Sequence, residues 1–441
     1  MTLDKLLFKQ IDNSPLIVFR IVFGLLIFLE SVGAIFTGWV KRTLIDPEFT
    51  FSFIGFEWLQ PLPGYGMYFY YLVMGVFGLF VMVGYRYRLS IAVFTIMWTA
   101  TYLMQKASYN NHYYLLILLC AIMCILPAHR SLSLDVKRNP NLKSIAMPQW
   151  VKVIIILQLF IVYTYASVAK LYPDWLDHTV AENLMATRRG YPIIGELLQE
   201  HFIHVIITYF GIFFDLLIIP ALLWKPTRKV AFIVSIFFHL FNSIVFQIGI
   251  FPYLSLAFTV FFFETKTIHE LFLSKRKTYY VGEEIETPKV YKPFIALGAL
   301  YFLIQIGLPL RHWAIKDDVL WTEEGHRMSW RMMLRSKYGR IRFKVVNKNT
   351  KTVSIIDPGE YLSKKQRRMV ATKPDVIWQF AQYLERQYAD LGQQVKVYAY
   401  ESALSVNGRK LSPFIDPEID LASEEWNHFS HHHWILPSPK E

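Results

Sequence analysis

Long apolar runs dominate the chain up to residue 309, interrupted by short polar connectors. They occupy residues 16–38, 67–85, 89–106, 113–127, 151–168, 203–223, 230–248, 252–264 and 293–309. A helix rising about 1.5 Å per residue needs roughly 20 such residues to cross a bilayer core. Most of the runs approach that length. The runs 113–127 and 252–264 are short, and cross only if flanking residues extend them or neighbouring helices bury them. The pattern predicts an all-α membrane bundle of about nine transmembrane helices over residues 1–309.

Residues 310–441 read differently. RIRFKVVNKNTKTVSII gives two strands around a turn at Asn347–Thr350, followed by an Asp357-Pro358-Gly359 turn. Residues 373–391 place Ile377, Phe380, Tyr383, Leu384 and Tyr388 on one helical face that starts after Pro374. VKVYAY and a possible Asn407-Gly408 hairpin return to strand. The expectation is a small soluble α+β domain docked on the outer face of the bundle.

Composition supports the membrane reading. Of 441 residues 54% are hydrophobic and only 18% charged, against about 25% charged in an average soluble chain. The net charge of +12 sits between the apolar runs, where it anchors a membrane protein, so nucleic acid is not the expected partner. If every run spans, the loops on the N-terminal side hold roughly nineteen Lys and Arg and the opposite loops roughly six. That asymmetry predicts a cytoplasmic N-terminus and an extracytoplasmic C-terminal domain, with a bacterial inner membrane as the location. The N-terminus lacks the pattern of a cleaved signal, so the first run is expected to remain as a span. Cys120 and Cys124 lie four apart in one apolar run, a spacing awkward for a disulfide within a helix.

Polar groups at membrane depth are the candidate chemistry. Tyr109-Asn110-Asn111-His112 stands at the mouth of the fourth run, where the amides and imidazole could bind a carboxylate or simply cap a helix. Lys170 ends the fifth run just before Pro173. It either snorkels to headgroups or sits in a dry pocket, where desolvation makes it a usable base. His239, Asn242 and Ser243 share one face of the seventh run, lining a cavity or making an interhelical bond. Asp215 lies in the sixth run without an identifiable partner. The terminal His428 and His431–His433 are expected to form a mobile polar end rather than a metal site, and no metal-ligand set is apparent.

In order, several of these stretches resemble the vitamin K-dependent γ-glutamyl carboxylases and their bacterial relatives with the horizontally transferred transmembrane (HTTM) domain. The similar pieces are Asn110-Asn111-His112, Tyr165-Ala166-Ser167-Val168-Ala169-Lys170-Leu171, and FHLFNS…IGIFPY at 238–253. Leu310-Arg311-His312, Ser329-Trp330-Arg331-Met332-Met333 and Asp357-Pro358-Gly359 carry the likeness into the tail.

The resemblance implies a vitamin K hydroquinone-dependent enzyme. A lysine matching Lys170 deprotonates the reduced naphthoquinone, which reacts with O2 and yields a base able to take a γ-proton from glutamate. CO2 then adds, and the cofactor leaves as an epoxide. By the same match His112, with Asn111 and Asn110, holds the glutamate of a protein or peptide substrate. His239, Asn242 and His312 line the site, and Tyr165 and Trp330 contact the quinol. An amine can deprotonate a phenol of pKa about 10, though not the γ-carbon of glutamate directly. The animal enzymes link membrane part and tail by a disulfide that Cys120 and Cys124 cannot make. They carry tyrosines where this chain has His326 and Met328, and their tail is longer. Two other readings therefore stand beside carboxylation: quinol epoxidation alone or on an unknown partner, and a non-catalytic binding or transport protein.

Overall fold

The computed structural model describes residues 2–277, 279, 289 and 291–439. Helices occupy the expected positions: α1 Ser14–Phe36, α2 Gly66–Val83, α3 Tyr87–Met104, α4 Asn111–Ile125, α5 Trp150–Val168, α6 His201–Leu223, α7 Arg228–Phe241, α8 Phe251–Phe258 and α9 Tyr291–Leu310. Among the described residues, six helices are long and apolar enough to cross a membrane: α1, α2, α5, α6, α7 with its continuation to Phe246, and α9 with its continuation to Ala314. The other three fall short of that standard. α4 and α8 lack length, and α3 carries Arg88, Ser90 and three threonines that dilute its apolar character.

Helix ends follow local chemistry. α1 starts with Pro15 in its first turn, where a missing N–H is harmless. α2 stops at Gly84, whose φ of 65° a side chain would resist. Gly24 and Gly78 let α1 and α2 touch closely, because a Cβ at Gly24 would lie 2.3 Å from the Met82 nitrogen. On the N-terminal side a short strand, β1 Gln10–Asp12, pairs with β2 Ala146–Pro148. There Arg20 is fully buried and donates to the carbonyls of Ala128, Ser131 and Leu132.

The tail folds as a four-stranded antiparallel sheet in the order β4-β3-β5-β6, from β3 Lys337–Asn347, β4 Val353–Ile356, β5 Val395–Val406 and β6 Ser412–Pro413. The β3–β4 turn falls at the expected asparagine, and Asn407 and Gly408 close β5 onto β6 with φ of 53° and 83°. Helix α10, Pro374–Asp390, packs Phe380 on Phe343 of the sheet. The histidine-rich terminus is not a loose end. His432 is buried against Trp426 with ring centroids 4.1 Å apart, and His431 and His432 both bind Glu324 at 2.7 Å. Trp434 and Ile435 beyond it sit in the core, which explains why the segment stays in place.

The tail docks on the bundle face carrying the loops 37–65, 105–110 and 169–178. Lys106 pairs with Asp375 at 2.6 Å, Gln379 donates to Ser52 O at 3.0 Å, and Asn407 donates to Asp174 at 2.7 Å. Tyr109 accepts from the Met328 N–H at 2.7 Å, and Tyr114 stacks on Trp330.

Candidate active site

α5 ends because Pro173 cannot continue it, and its last turn curls so that Lys170 reaches back into the bundle. Lys170 is buried. Its Nζ pairs with Asp215 of α6, donates to Ala166 O at 3.1 Å, and stands 5.5 Å from the Trp175 ring centroid. Ser167 fixes the register of the two helices by donating to Ile212 O at 3.0 Å. The lysine therefore does not snorkel, and the partner of Asp215 is identified.

Lys170 and Asp215 sit in the wall of a largely apolar chamber of about 550 Å³, with Tyr163, Phe238, His239 and Phe251. His239 is buried and its Nε2 meets Tyr163 OH at 3.2 Å, while its Nδ1 has no partner among the described residues. α7 stays regular through Phe241 and then widens into a π turn over Asn242–Phe246, a distortion common at functional sites. The widening splits the predicted polar face. Asn242 lines the chamber, whereas Ser243 turns to Tyr253 OH at 3.1 Å.

A second chamber, about 710 Å³ and more polar, lies between the bundle and the tail. Asn110, Asn111 and Tyr113 line it, with Glu30 of α1 and Lys373, Arg335 and Arg327 of the tail. The two chambers share His112, Ile248, Phe251, Met332 and Met333. His112 stacks on Phe251 with centroids 3.9 Å apart, so its ring forms part of the partition. The tail's side of that partition has strained backbone: Glu323, Met328, Trp330 and Met333 all adopt positive φ, between 54° and 62°.

The asparagines are already engaged. Asn110 caps α4 through Tyr113 N at 2.7 Å. Asn111 accepts from Tyr109 OH at 2.7 Å and donates to Arg331 O at 3.0 Å. Both amides thus hold the loop that presents His112. Glu30 accepts from Tyr113 OH at 2.9 Å and secures the same turn from α1.

Behind the polar chamber lies a buried charge network. Glu323 is gripped by Arg335, Lys337 and Lys373, and Asp375 by Lys106 and Arg327. Burial alone would raise the Glu323 carboxyl, but its three cations outweigh that and hold it well below the usual carboxylate range. Asp375 is likewise depressed, burial being overcome by Arg327 and Lys106. Burial pushes Lys337 down to about 7 and Lys373 to about 8, against the pull of Glu323.

Residues 8–266 match the HTTM domain model and residues 291–441 match the vitamin K-dependent gamma-carboxylase lumenal domain model. The chain belongs to the vitamin K-dependent γ-glutamyl carboxylase family. No solved structure matches it.

Within this carboxylase-family chain, Lys170, His112, His239 and Asn242 converge on the two chambers, and Asn110 and Asn111 border the polar one. Three other expected residues stand apart. His312 binds Pro309 O at 2.7 Å and faces a separate cavity; Tyr165 lines that same cavity and donates to Ile306 O at 2.7 Å. Trp330 is buried beneath Tyr114, where its ring supports α4. Glu30 was missed, although a carboxylate within an apolar run is itself the signal. Tyr163 and the Met332–Met333 partition had no such signal.

Proposed function

We propose that this multi-pass membrane protein is a vitamin K hydroquinone-dependent enzyme coupling quinol epoxidation to γ-carboxylation of protein glutamate. The carrying observation is the buried Lys170–Asp215 pair in an apolar chamber that meets a polar chamber at His112. The apolar chamber fits the cofactor: its volume falls in the range of about 300–1,000 Å³ usual for small-molecule sites, and aromatic walls suit a naphthoquinone. When bound, the reduced naphthoquinone supplies, with O2, the strong base for the glutamate γ-proton. The net reaction consumes quinol, O2, CO2 and glutamate and gives quinone epoxide, water and γ-carboxyglutamate.

The chain's own groups do the following. Lys170, held beside Asp215 in the wall of the apolar chamber, is placed to take a quinol hydroxyl proton. The ammonium then formed lies in a dry wall, where its charge stabilises an adjacent anion. His112, at the partition, orients the glutamate side chain, and Met332 and Met333 keep water away from the reacting carbon. Asn110 and Asn111 position His112. This reading includes nine spans, a cytoplasmic N-terminus and an extracytoplasmic tail in a bacterial inner membrane.

A second reading, quinol epoxidation without carboxylation, is favoured by one observation: Nδ2 of Asn111, the donor a glutamate carboxylate would need, is already bonded to Arg331 O at 3.0 Å. Incubating the purified protein with vitamin K hydroquinone, O2, bicarbonate and a Glu-containing peptide separates the two. Epoxide together with carboxylated peptide supports coupling; epoxide alone supports the second reading; neither product overturns both.

A further inference from the structure

A third cavity, about 350 Å³, opens where α5 and α9 both end against the tail. Arg331 reaches it from the partition. Its backbone faces the polar chamber, since its carbonyl accepts from Asn111. Its side chain turns the other way: Nη1 lies 3.3 Å from Nε2 of His312, which lines the third cavity and not the polar chamber. His312 donates from Nδ1 to Pro309 O at 2.7 Å, which leaves Nε2 as the acceptor for Arg331.

That contact occupies one end of the guanidinium. Nε, on the opposite edge, is buried and without a partner among the described residues, in a residue only 9% exposed. The Nε–Nη2 edge presents two parallel N–H groups, the geometry that grips a carboxylate or phosphate. A buried cation left this way calls for an anion. In the same cavity stands Asp318, half-buried, with one oxygen capping the turn at Leu320 N at 2.8 Å. The rim carries exposed Leu171 and Trp313, the apolar and interfacial residues expected where a bundle meets headgroups.

We propose that this cavity seats a zwitterionic phospholipid headgroup, with the phosphodiester on the free edge of Arg331 and an ethanolamine amine on Asp318. The two opposite charges and the apolar rim together match phosphatidylethanolamine. Free phosphate offers the same oxygens, but it has no amine for Asp318 and no acyl chains for the rim.

The full chain, delipidated in detergent and exposed to phosphatidylethanolamine, phosphatidylcholine or phosphatidylglycerol, is examined by native mass spectrometry, with inorganic phosphate as competitor. One retained phosphatidylethanolamine is expected, not displaced by phosphate. Arg331→Gln should weaken retention roughly 10- to 100-fold, the loss of charge-assisted hydrogen bonds. Arg331→Lys, which keeps the charge without the fork, should also weaken it and guards against a misfolded Gln variant. Asp318→Asn should abolish the preference for ethanolamine over choline while lipid still binds. Retention unchanged in both Arg331 variants, an unaltered preference in Asp318→Asn, or displacement by phosphate would each overturn the proposal. None of these readouts depends on catalysis, so they stand apart from the quinol reading.

Discussion

Lys170 and Asp215 make a prediction in which structure and chemistry separate. Replacing Lys170 by Met leaves Asp215 buried without its partner, and breaking a buried pair from one side costs about 3–5 kcal/mol. Adding Asp215→Asn removes the orphaned charge, so the double variant should recover most of that stability. Catalysis should not recover. Loss of a positioned general base costs about 10²–10⁴ in rate, and the double variant still lacks it. Lys170→Arg completes the set: its guanidinium can keep the pair with Asp215 and hold the fold, yet stays protonated at any working pH. Thermal unfolding in detergent reads the stability arm, and epoxide formation from vitamin K hydroquinone reads the chemical arm. The expected pattern is single Met unstable and inactive, double variant stable and inactive, Arg stable and inactive. A small exogenous amine should partly restore rate in Lys170→Ala, which leaves an amine-sized gap. An active Lys170→Arg protein would refute the assignment of Lys170 as base.

His112→Ala should lower carboxylation more than epoxidation, because the ring sits between the chambers; equal loss of both with the fold intact would make it part of the quinol pocket. Asp375→Asn should loosen the tail, seen as faster limited proteolysis, since it leaves Lys106 and Arg327 buried without their carboxylate. The Asp375 carboxyl is depressed in the folded chain, so its contribution is complete above the unfolded value of about 4 and fades as pH falls through the folded one. Lys337 acts with the same sign in a higher window: folded at about 7 and unfolded near 10.5, it binds more protons unfolded, so stability should climb from pH 7 towards 10.5, and Lys337→Met should flatten that rise. Cysteines introduced at Lys41 and in the tail should react with impermeant thiol reagents in intact cells and one at Lys275 should not; the reverse labelling would invert the topology.

Helix positions were legible because apolar runs report membrane burial directly, and every predicted run has a helix within a few residues of it. What stayed hidden was register between helices. Lys170 and Asp215 lie 45 residues apart, and nothing in either run says which turn of α6 faces the end of α5. Glu30 and Tyr113 meet across 83 residues for the same reason. The terminal histidines misled because composition says polar, while their fate depends on Trp426 and Glu324 contributed from elsewhere. Sequence left Asn110 and Asn111 open between capping and substrate binding, and the bonds their amides make within the loop could not be read from it.

The partition between the chambers is built from two matched regions at once: His112 and Phe251 belong to the HTTM match, and Met332 and Met333 to the lumenal-domain match. Neither region encloses a chamber by itself. For anyone recombining members of this family, the tail is then a poor module to exchange alone. A graft cut near residue 290 would join one protein's histidine to another's methionine wall, and both cavities would change shape together. The unit that can travel intact is the loop 105–112, the turn 248–251 and the strained stretch 323–333, moved as one set although they are scattered along the chain.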